Sequence, residues 1–585
     1  MAFRIKSTKF LCRLPLIMLV VVFVSCCNGK QTRATKTNAL LTRGPSKKAI
    51  AEWNGQKYSM FIHFGLYSVP AGIWKEEKVT RGYSEQIRAH GNISREEFRE
   101  LAKEFNPTRW NADSVALLAK KAGMKSIVIT SKHHDGFAMY HTKYSDFNIV
   151  DATPYKKDIL KELAAACEKH GLKFGVYFSL IDWDFPQALP ISTHNSDSIP
   201  PAHHQLNLNQ VEELMTGYGP VSEIWFDMGK PSLQQSRELV AMVRKYQPDC
   251  LVSGRIWNDQ GDFAVMGDNA SPDFRMGTLW QTPASMFDET WGYRSWQERG
   301  DARDKALEKL RALINIVSNG GNYLLNIGPK GDGSILAFEQ EVLLAIGQWL
   351  KIHREAIYDT KPAPLPEQEW GVLTYKPGKL FLFFPYGPPE GPIILKGMRS
   401  GIRSARLLAQ PSITITVDDS NVAPALKIQG LDIKDMLPVI VVEYEGELEH
   451  IPPGVITATE DGNLILSPDN AIKYHSYSGA DYYSTQPTVV RMEWNVQGLQ
   501  EHVRNLMFQY FPPDRARPLQ LSVNGEKVTI WLEGRAKSGS REILGLKVLD
   551  LPFQPDVLNR VTLSLSDDAN PHKDMGLRNC MIRLY

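Results

Sequence analysis

The residues of this chain best placed to do chemistry are polar or aromatic side chains that end short apolar runs. Glu223-Ile224-Trp225-Phe226-Asp227-Met228 stops at a carboxylate, with Gly229 and Pro231 behind it to turn the chain. Such a run reads as a strand buried on both faces. Asp227 then emerges at its C-terminal end, where barrel and open α/β enzymes keep their chemistry. A carboxylate fixed there suits a nucleophile or a general base, because its freedom is lost before substrate arrives. The competing reading is a strand terminator or a helix cap.

Other runs finish alike. His63 follows Met60-Phe61-Ile62, and Lys132, His133, His134 and Asp135 follow Ser126-Ile127-Val128-Ile129-Thr130. Tyr177 lies in Phe174-Gly175-Val176-Tyr177-Phe178-Ser179, Trp225 precedes Asp227, and Arg255 comes after Leu251-Val252. Neutral imidazoles and phenols hydrogen-bond hydroxyls, a guanidinium fixes a carboxylate or hydroxyl, and an indole supplies an apolar wall. One such residue is as readily structural. Their recurrence at successive strand ends is not expected of a scaffold, whose stability resides at the opposite barrel face.

No metal or organic cofactor is called for. His133 and His134 are adjacent, so their side chains diverge along a strand and do not readily share an ion. No Gly-rich phosphate loop opens a helix, no Gly-x-Ser-x-Gly elbow occurs, and Gly328-Pro329-Lys330-Gly331-Asp332-Gly333 reads as a turn. A net charge of +2 argues for neither a nucleic-acid nor a membrane-surface partner. Of the 6 cysteines, Cys12, Cys26 and Cys27 lie in an N-terminal leader. Cys167, Cys250 and Cys580 are far apart and read as buried free thiols, without a disulfide or zinc pattern.

The elements that must position these residues alternate. Helical patterns at 157–170, 207–218, 233–246 and 303–318 separate the apolar runs, the last preceding Tyr323-Leu324-Leu325-Asn326-Ile327-Gly328. Ser94-Arg95-Glu96-Glu97 opens a helix with a capping-box pattern. Strands and helices in this order predict a parallel sheet, and about 310 residues of it suit a (β/α) barrel of the TIM type over 46–356. The strand pattern blurs after Arg255, and eight strands are not countable. Short alternating runs then predict a β-sandwich at 357–448. A further β-rich domain at 449–585, with turns at Asp461-Gly462 and Asn524-Gly525, reads equally as a carbohydrate-binding module or a packing domain. Arg4, Lys6, Lys9 and Arg13 precede the apolar run Leu14 to Val24 and Ser25-Cys26-Cys27. That is the plan of a lipoprotein-like signal over 1–26, with lipid on Cys26 or Cys27 and a polar tether over 27–45. It predicts an exported protein, periplasmic or anchored in the outer membrane of a bacterium.

The strings FIHFGLYSVPAG (61–72), SKHHDGF (131–137), GVYFSLIDW (175–183), EIWFDMG (223–229) and NGGNYLLNIGPKGDG (319–333) together resemble the α-L-fucosidases of glycoside hydrolase family 29. The likeness covers about 45–356 and the following sandwich, and leaves the last ~135 residues outside. It implies a retaining enzyme that releases L-fucose from a fucosylated glycan, with Asp227 attacking the anomeric carbon. It also implies a fucose pocket lined by His63, Trp74, His133, His134, Tyr177, Trp225 and Arg255. Retention needs a second carboxyl about 5 Å away, first acid and then base. The family places that group variably. Asp268, in a segment that carries the acid in some relatives, is the first choice and Glu289 the second. Gln281 stands where most relatives have Glu, and Ile73 where many have Glu. These departures keep two alternatives open: an α-L-galactosidase or other exo-glycosidase on the same barrel, and a non-catalytic sugar-binding protein.

Overall fold

Eight short runs form the parallel strands: β1 (Tyr58–Ile62), β2 (Ser126–Lys132), β3 (Lys173–Ser179), β4 (Glu223–Asp227), β5 (Leu251–Val252), β6 (Ala264–Val265), β7 (Trp280–Ala284) and β8 (Asn322–Ile327). The computed structural model describes residues 44–584 except 187–197, 271, 273–274, 421–422, 429–435, 452–453, 458–463, 477–487, 498–504, 511–515, 533–542, 549–550, 556 and 566–580. The leader with Cys12, Cys26 and Cys27, the tether up to 43, the Asp461-Gly462 turn and Cys580 fall outside the described residues.

The strands pair in the order β5-β4-β3-β2-β1-β8-β7-β6. The two ends of that sheet meet through a parallel bridge between Ser253 and Phe263, which closes the barrel. β1, β2, β4, β7 and β8 are buried along their whole length. Both faces are covered, the inner by side chains filling the barrel and the outer by helices, so the strands read as continuous apolar runs. The covering helices are α1 (Lys47–Gly55), α2 (Ala112–Lys121), α3 (Ile159–His170), α4 (Pro201–Gly217), α5 (Leu233–Tyr246), α6 (Ala302–Ser318) and α7 (Ala337–Ile357). Their ends follow local chemistry. Asp158 caps α3 through the N–H of Lys161, and Gly171 stops it in the left-handed region at φ 70°. Ser232 and Gln235 form a capping box on α5. The box at Ser94 and Glu97 is present too, on the short helix Arg95–Glu100.

The blurred region after Arg255 has a physical cause. β5 and β6 have two residues each, too few to show a period. Between them Trp257, Asn258 and Asp259 lie in the left-handed region at φ 66°, 53° and 55°. Such a turn is held by side chains rather than by a ladder: the Asp262 carboxylate accepts the Val252 N–H at 2.6 Å and pairs with Arg244.

After α7 the chain is antiparallel. Five-stranded and three-stranded sheets form a sandwich between Lys361 and Tyr444, whose inner faces meet through Leu380, Leu382, Leu426, Ile440 and Val442. The alternate residues Phe381, Phe383, Val439 and Val441 of the five-stranded sheet join the core of the barrel, and Trp349 of α7 donates its indole N–H to the Leu437 carbonyl at 2.8 Å. A second sandwich of six-stranded and four-stranded sheets follows, with Trp494, Leu519, Leu521 and Leu563 in its core. Its Asn524-Gly525 turn has both residues at positive φ, 51° and 94°, as a two-residue hairpin requires. His475 of this sandwich bonds through its backbone to Arg275 and Gly277 of the segment between β6 and β7. Among the described residues no helix is long and apolar enough to cross a membrane.

Candidate active site

The C-terminal ends of the barrel strands surround a cavity of about 430 Å³ whose walls include His63, His133, His134, Tyr177, Trp225, Asp227, Arg255 and Asp268. A larger cavity of about 590 Å³ lies at the strand beginnings, lined by residues such as Lys173, Ser222 and Cys250. Size alone therefore does not mark the site. Convergent polar groups do.

Asp227 ends β4 and is 9% exposed. The Tyr177 hydroxyl donates to its Oδ2 at 2.8 Å and Arg255 Nη1 donates to its Oδ1 at 2.7 Å. His134 Nε2 stands 3.9 Å from Oδ2. Burial alone raises a carboxyl, but here the Arg255 charge and the two hydrogen bonds outweigh it and hold Asp227 below the usual carboxylate range. The other nitrogen of the same guanidinium, Arg255 Nη2, donates to Asp268 Oδ1 at 2.7 Å. The Asp268 side chain is 29% exposed. Its carboxyl is pushed up, first by burial and then by the Asp227 charge, against the pull of Arg255 and a hydrogen bond from Trp291. Two neighbouring carboxyls are thus driven in opposite directions.

The imidazoles are neutral. Burial pushes His63 down to about 3 and His134 to about 4, with Asp227 offsetting only part of either shift, and it pushes His133 well below its ordinary value. Their tautomers follow from their partners. The Asn326 amide donates to the Trp291 carbonyl at 2.7 Å, so its oxygen is left to accept from His63 Nδ1, at 2.7 Å. The Ser179 hydroxyl donates to the Ile181 carbonyl at 2.9 Å and accepts from His134 Nδ1 at 2.7 Å. In both rings Nε2 is then an acceptor, matched to a hydroxyl donor. His133 Nδ1 has no hydrogen-bond partner among the described residues. The ring stacks on Tyr177 at 5.4 Å.

Two expected site residues stand elsewhere. Glu289 is exposed, accepts from Gln297 at 3.3 Å and lines a separate cleft with Trp296 and Arg294. Asp288 and Glu289 face solvent after β7, and of this stretch Trp291 reaches the cavity. Trp74 sits half-buried in a two-residue hairpin strand paired with Glu77 and Lys78 and does not line the cavity. Gln281, which stands where most relatives have Glu, points into the barrel interior below the cavity and accepts the Trp225 indole N–H at 2.9 Å.

The sequence reading missed Phe61, Tyr83, Glu85, Gln86, Met228 and Trp291 among the walls. Glu85 matters most. It is 2% exposed, accepts the backbone N–H groups of Trp291 and Gly292 at 3.2 and 2.8 Å, and burial lifts its carboxyl to about 7 against those bonds. It supplies the wall with a carboxyl group that Ile73 does not. It belongs to a three-residue turn, Ser84–Gln86, where no periodicity signals a role. Trp291 adjoins Gly292, which has no room for a side chain because a Cβ there meets Tyr67 at 2.9 Å. Among the described residues no group of three or more His, Cys, Asp or Glu side chains is arranged to hold a metal ion. Cys167 and Cys250 are buried and free.

Comparison with known proteins agrees with this geometry. A family model described as alpha-L-fucosidase matches residues 25–355. The plasma alpha-L-fucosidase of Homo sapiens is 29% identical over 426 residues, 66% of this chain and 88% of that protein. The plasma enzyme of Rattus norvegicus is 33% identical over 54% of this chain and 72% of its own. Among solved structures, an alpha-L-fucosidase from Vibrio sp. strain EJY3 superposes with a TM-score of 0.66 at 28% identity, covering 94% of this chain and 99% of that one. The likeness therefore runs into the last domain, which the sequence resemblance had left outside. Isoenzyme 1 from Paenibacillus thiaminolyticus gives a TM-score of 0.60 at 28% identity over 68% of this chain and 99% of its own. With its family motifs gathered at one barrel mouth and more than half its length matched, the chain belongs to the alpha-L-fucosidases of glycoside hydrolase family 29.

Proposed function

We propose that this enzyme hydrolyses terminal α-L-fucosides of glycans with retention, through a fucosyl ester on Asp227 and with Asp268 as acid and then base. The observation that carries the reading is the pair of carboxyls on one Arg255 guanidinium, Asp227 held low and Asp268 pushed up. Groups whose environments separate them in this way divide nucleophile from acid.

In the first step an Asp227 oxygen bonds to the anomeric carbon as the glycosidic C–O bond breaks, and the leaving oxygen takes the Asp268 proton. In the second, Asp268 removes a proton from water, the water oxygen bonds to the anomeric carbon, and Asp227 leaves as carboxylate. Two displacements restore the starting configuration. Arg255 and the Tyr177 hydroxyl orient Asp227 before substrate binds. The Nε2 atoms of His63 and His134 suit sugar hydroxyls, and the rings of Phe61, Trp225 and Trp291 form an apolar wall suited to the face and methyl group of a deoxyhexose. The test is proton NMR of the sugar first released from 4-nitrophenyl α-L-fucoside. The α anomer is expected, and initial release of the β anomer overturns the mechanism.

A further inference from the structure

Beneath the sugar cavity the barrel interior holds a buried polar chain that no step above uses. Glu223, Trp225 and Asp227 alternate along β4 and so share its interior face. Glu223, Gln281 and Trp225 are 0%, 1% and 2% exposed. The Trp225 indole N–H donates to Gln281 Oε1 at 2.9 Å, and Gln281 Nε2 donates to Glu223 Oε2 at 3.3 Å. Trp53, from α1 at the barrel floor, donates its indole N–H to the same Glu223 oxygen at 2.8 Å. Glu223 Oε1 has no partner among the described residues. Gly175 on β3 leaves room for this carboxyl, since a Cβ there falls 2.9 Å from Glu223 Cγ.

An indole N–H can only donate, so position 281 must offer it an acceptor, while the Glu223 oxygen below asks for a donor. An amide meets both demands whatever the pH. A carboxyl at 281 faces Glu223 across a gap that only a shared proton can bridge, because two like charges at that distance do not both ionise. Trp225 carries the constraint upward. Its ring stacks on Tyr177 at 5.9 Å, and the Arg255 guanidinium lies 4.6 Å from its centroid. Tyr177 and Arg255 are the two side chains bonded to Asp227.

We propose that Gln281, seated on Glu223, is a positioning residue of the reaction: its amide fixes the Trp225 indole against Tyr177 and Arg255, and through them sets the angle of the Asp227 carboxylate. The proposal rests on Asp227 being the nucleophile. It also gives a reason for the amide in this chain, which keeps the floor of the site free of a second titrating carboxyl. Of the ionisable groups near Glu223, Cys250 before β5 is buried, and burial pushes its thiol up, so it stays neutral.

The experiment compares the parent with Gln281→Glu and Gln281→Met, measuring kcat and KM on 4-nitrophenyl α-L-fucoside from pH 4.5 to 8, with circular dichroism to confirm folding. In Gln281→Glu the new pair shares a proton at the acid end, and kcat/KM stays near the parent. As pH rises the pair loses that proton, and kcat falls about a hundredfold on a limb the parent lacks, the scale of a misplacement near 1 Å. KM changes far less. Gln281→Met is low at every pH; should it fail to fold, the pH profile of Gln281→Glu decides alone. A Gln281→Glu profile that superimposes on the parent, or lies below it by one factor at every pH, overturns the proposal. Asp227→Ala is run alongside: turnover surviving there overturns the nucleophile reading, whereas a flat Gln281→Glu ratio overturns only the relay.

Discussion

Arg255 is the residue on which the chemistry of the site turns, because it touches both carboxyls at 2.7 Å. Its charge keeps Asp227 ionised despite burial, and Asp268, pushed up by burial and by the Asp227 charge, keeps its proton longer. Asp268→Asn therefore loses kcat/KM by roughly 10²- to 10⁴-fold on a fucosylated oligosaccharide, whose leaving oxygen needs the proton, and much less on 4-nitrophenyl fucoside. Glu289→Gln stays within about twofold of the parent on both substrates, since its carboxylate is exposed and outside the cavity. Steady-state kinetics on the two substrates checks this, and the reverse ranking puts the acid at Glu289. At this scale much was legible. Asp227, His63, His133, His134 and Arg255 end or follow strands, with Tyr177 and Trp225 two residues before such an end, and strand ends can be read from an apolar run that stops. Glu85 and Trp291 were hidden because they sit on turns. Trp74 misled because a tryptophan beside a motif need not face the same way as the motif.

At the scale of elements, the strands that were easy to read are those buried on both faces for five or more residues. β5 and β6, two residues each, are strands only because Asp262, Arg244 and the Ser253–Phe263 bridge hold them beside their neighbours. No local pattern encodes such a closure. The helices show how closely the shell is fitted. Gly347, in the middle of α7, has no space for a methyl group, because a Cβ there lies 2.1 Å from the Lys121 carbonyl oxygen at the end of α2. Backbone cannot give way as a side chain can. Gly347→Ala gains helix propensity of at most about 1 kcal/mol yet is expected to lose about 1–3 kcal/mol net from overpacking. Denaturant unfolding measures the difference, and an unchanged or raised midpoint contradicts the close approach.

The molecule as a whole carries two opposed sets of buried titrating groups. His63, His134 and His203 are pushed down to about 3, 4 and 4 by burial. Their unfolded forms take protons first as pH falls below about 6.5, so their contribution to stability is present above that value and is lost toward acid. Glu85, Glu223, Asp135 and Glu339 are pushed up to about 7, 7, 7 and 8, again by burial. Their contribution is complete below the unfolded range near 4 and is lost as pH rises through 7 to 8. Between about 4.5 and 6.5 the two slopes oppose each other. Thermal unfolding across pH 3–9 is expected to show a plateau in Tm over that window with falls on both sides, and a Tm that climbs steadily to pH 8 contradicts the burial of the carboxyls. The two C-terminal sandwiches were legible as β structure from alternation. That the first completes the core under α6 and α7, and that the second bonds through His475 to the segment after β6, depends on contacts between distant segments, which no local pattern records.

The most direct test of the central claim is to inactivate the enzyme with 2-fluoro-fucosyl fluoride, digest it, and locate the sugar by tandem mass spectrometry. The expected label is a single fluorofucosyl ester on the peptide containing Glu223 to Met228, at Asp227. A label at Asp268, Glu85 or any other side chain contradicts Asp227 as the nucleophile and, with it, the roles given to Arg255 and Tyr177.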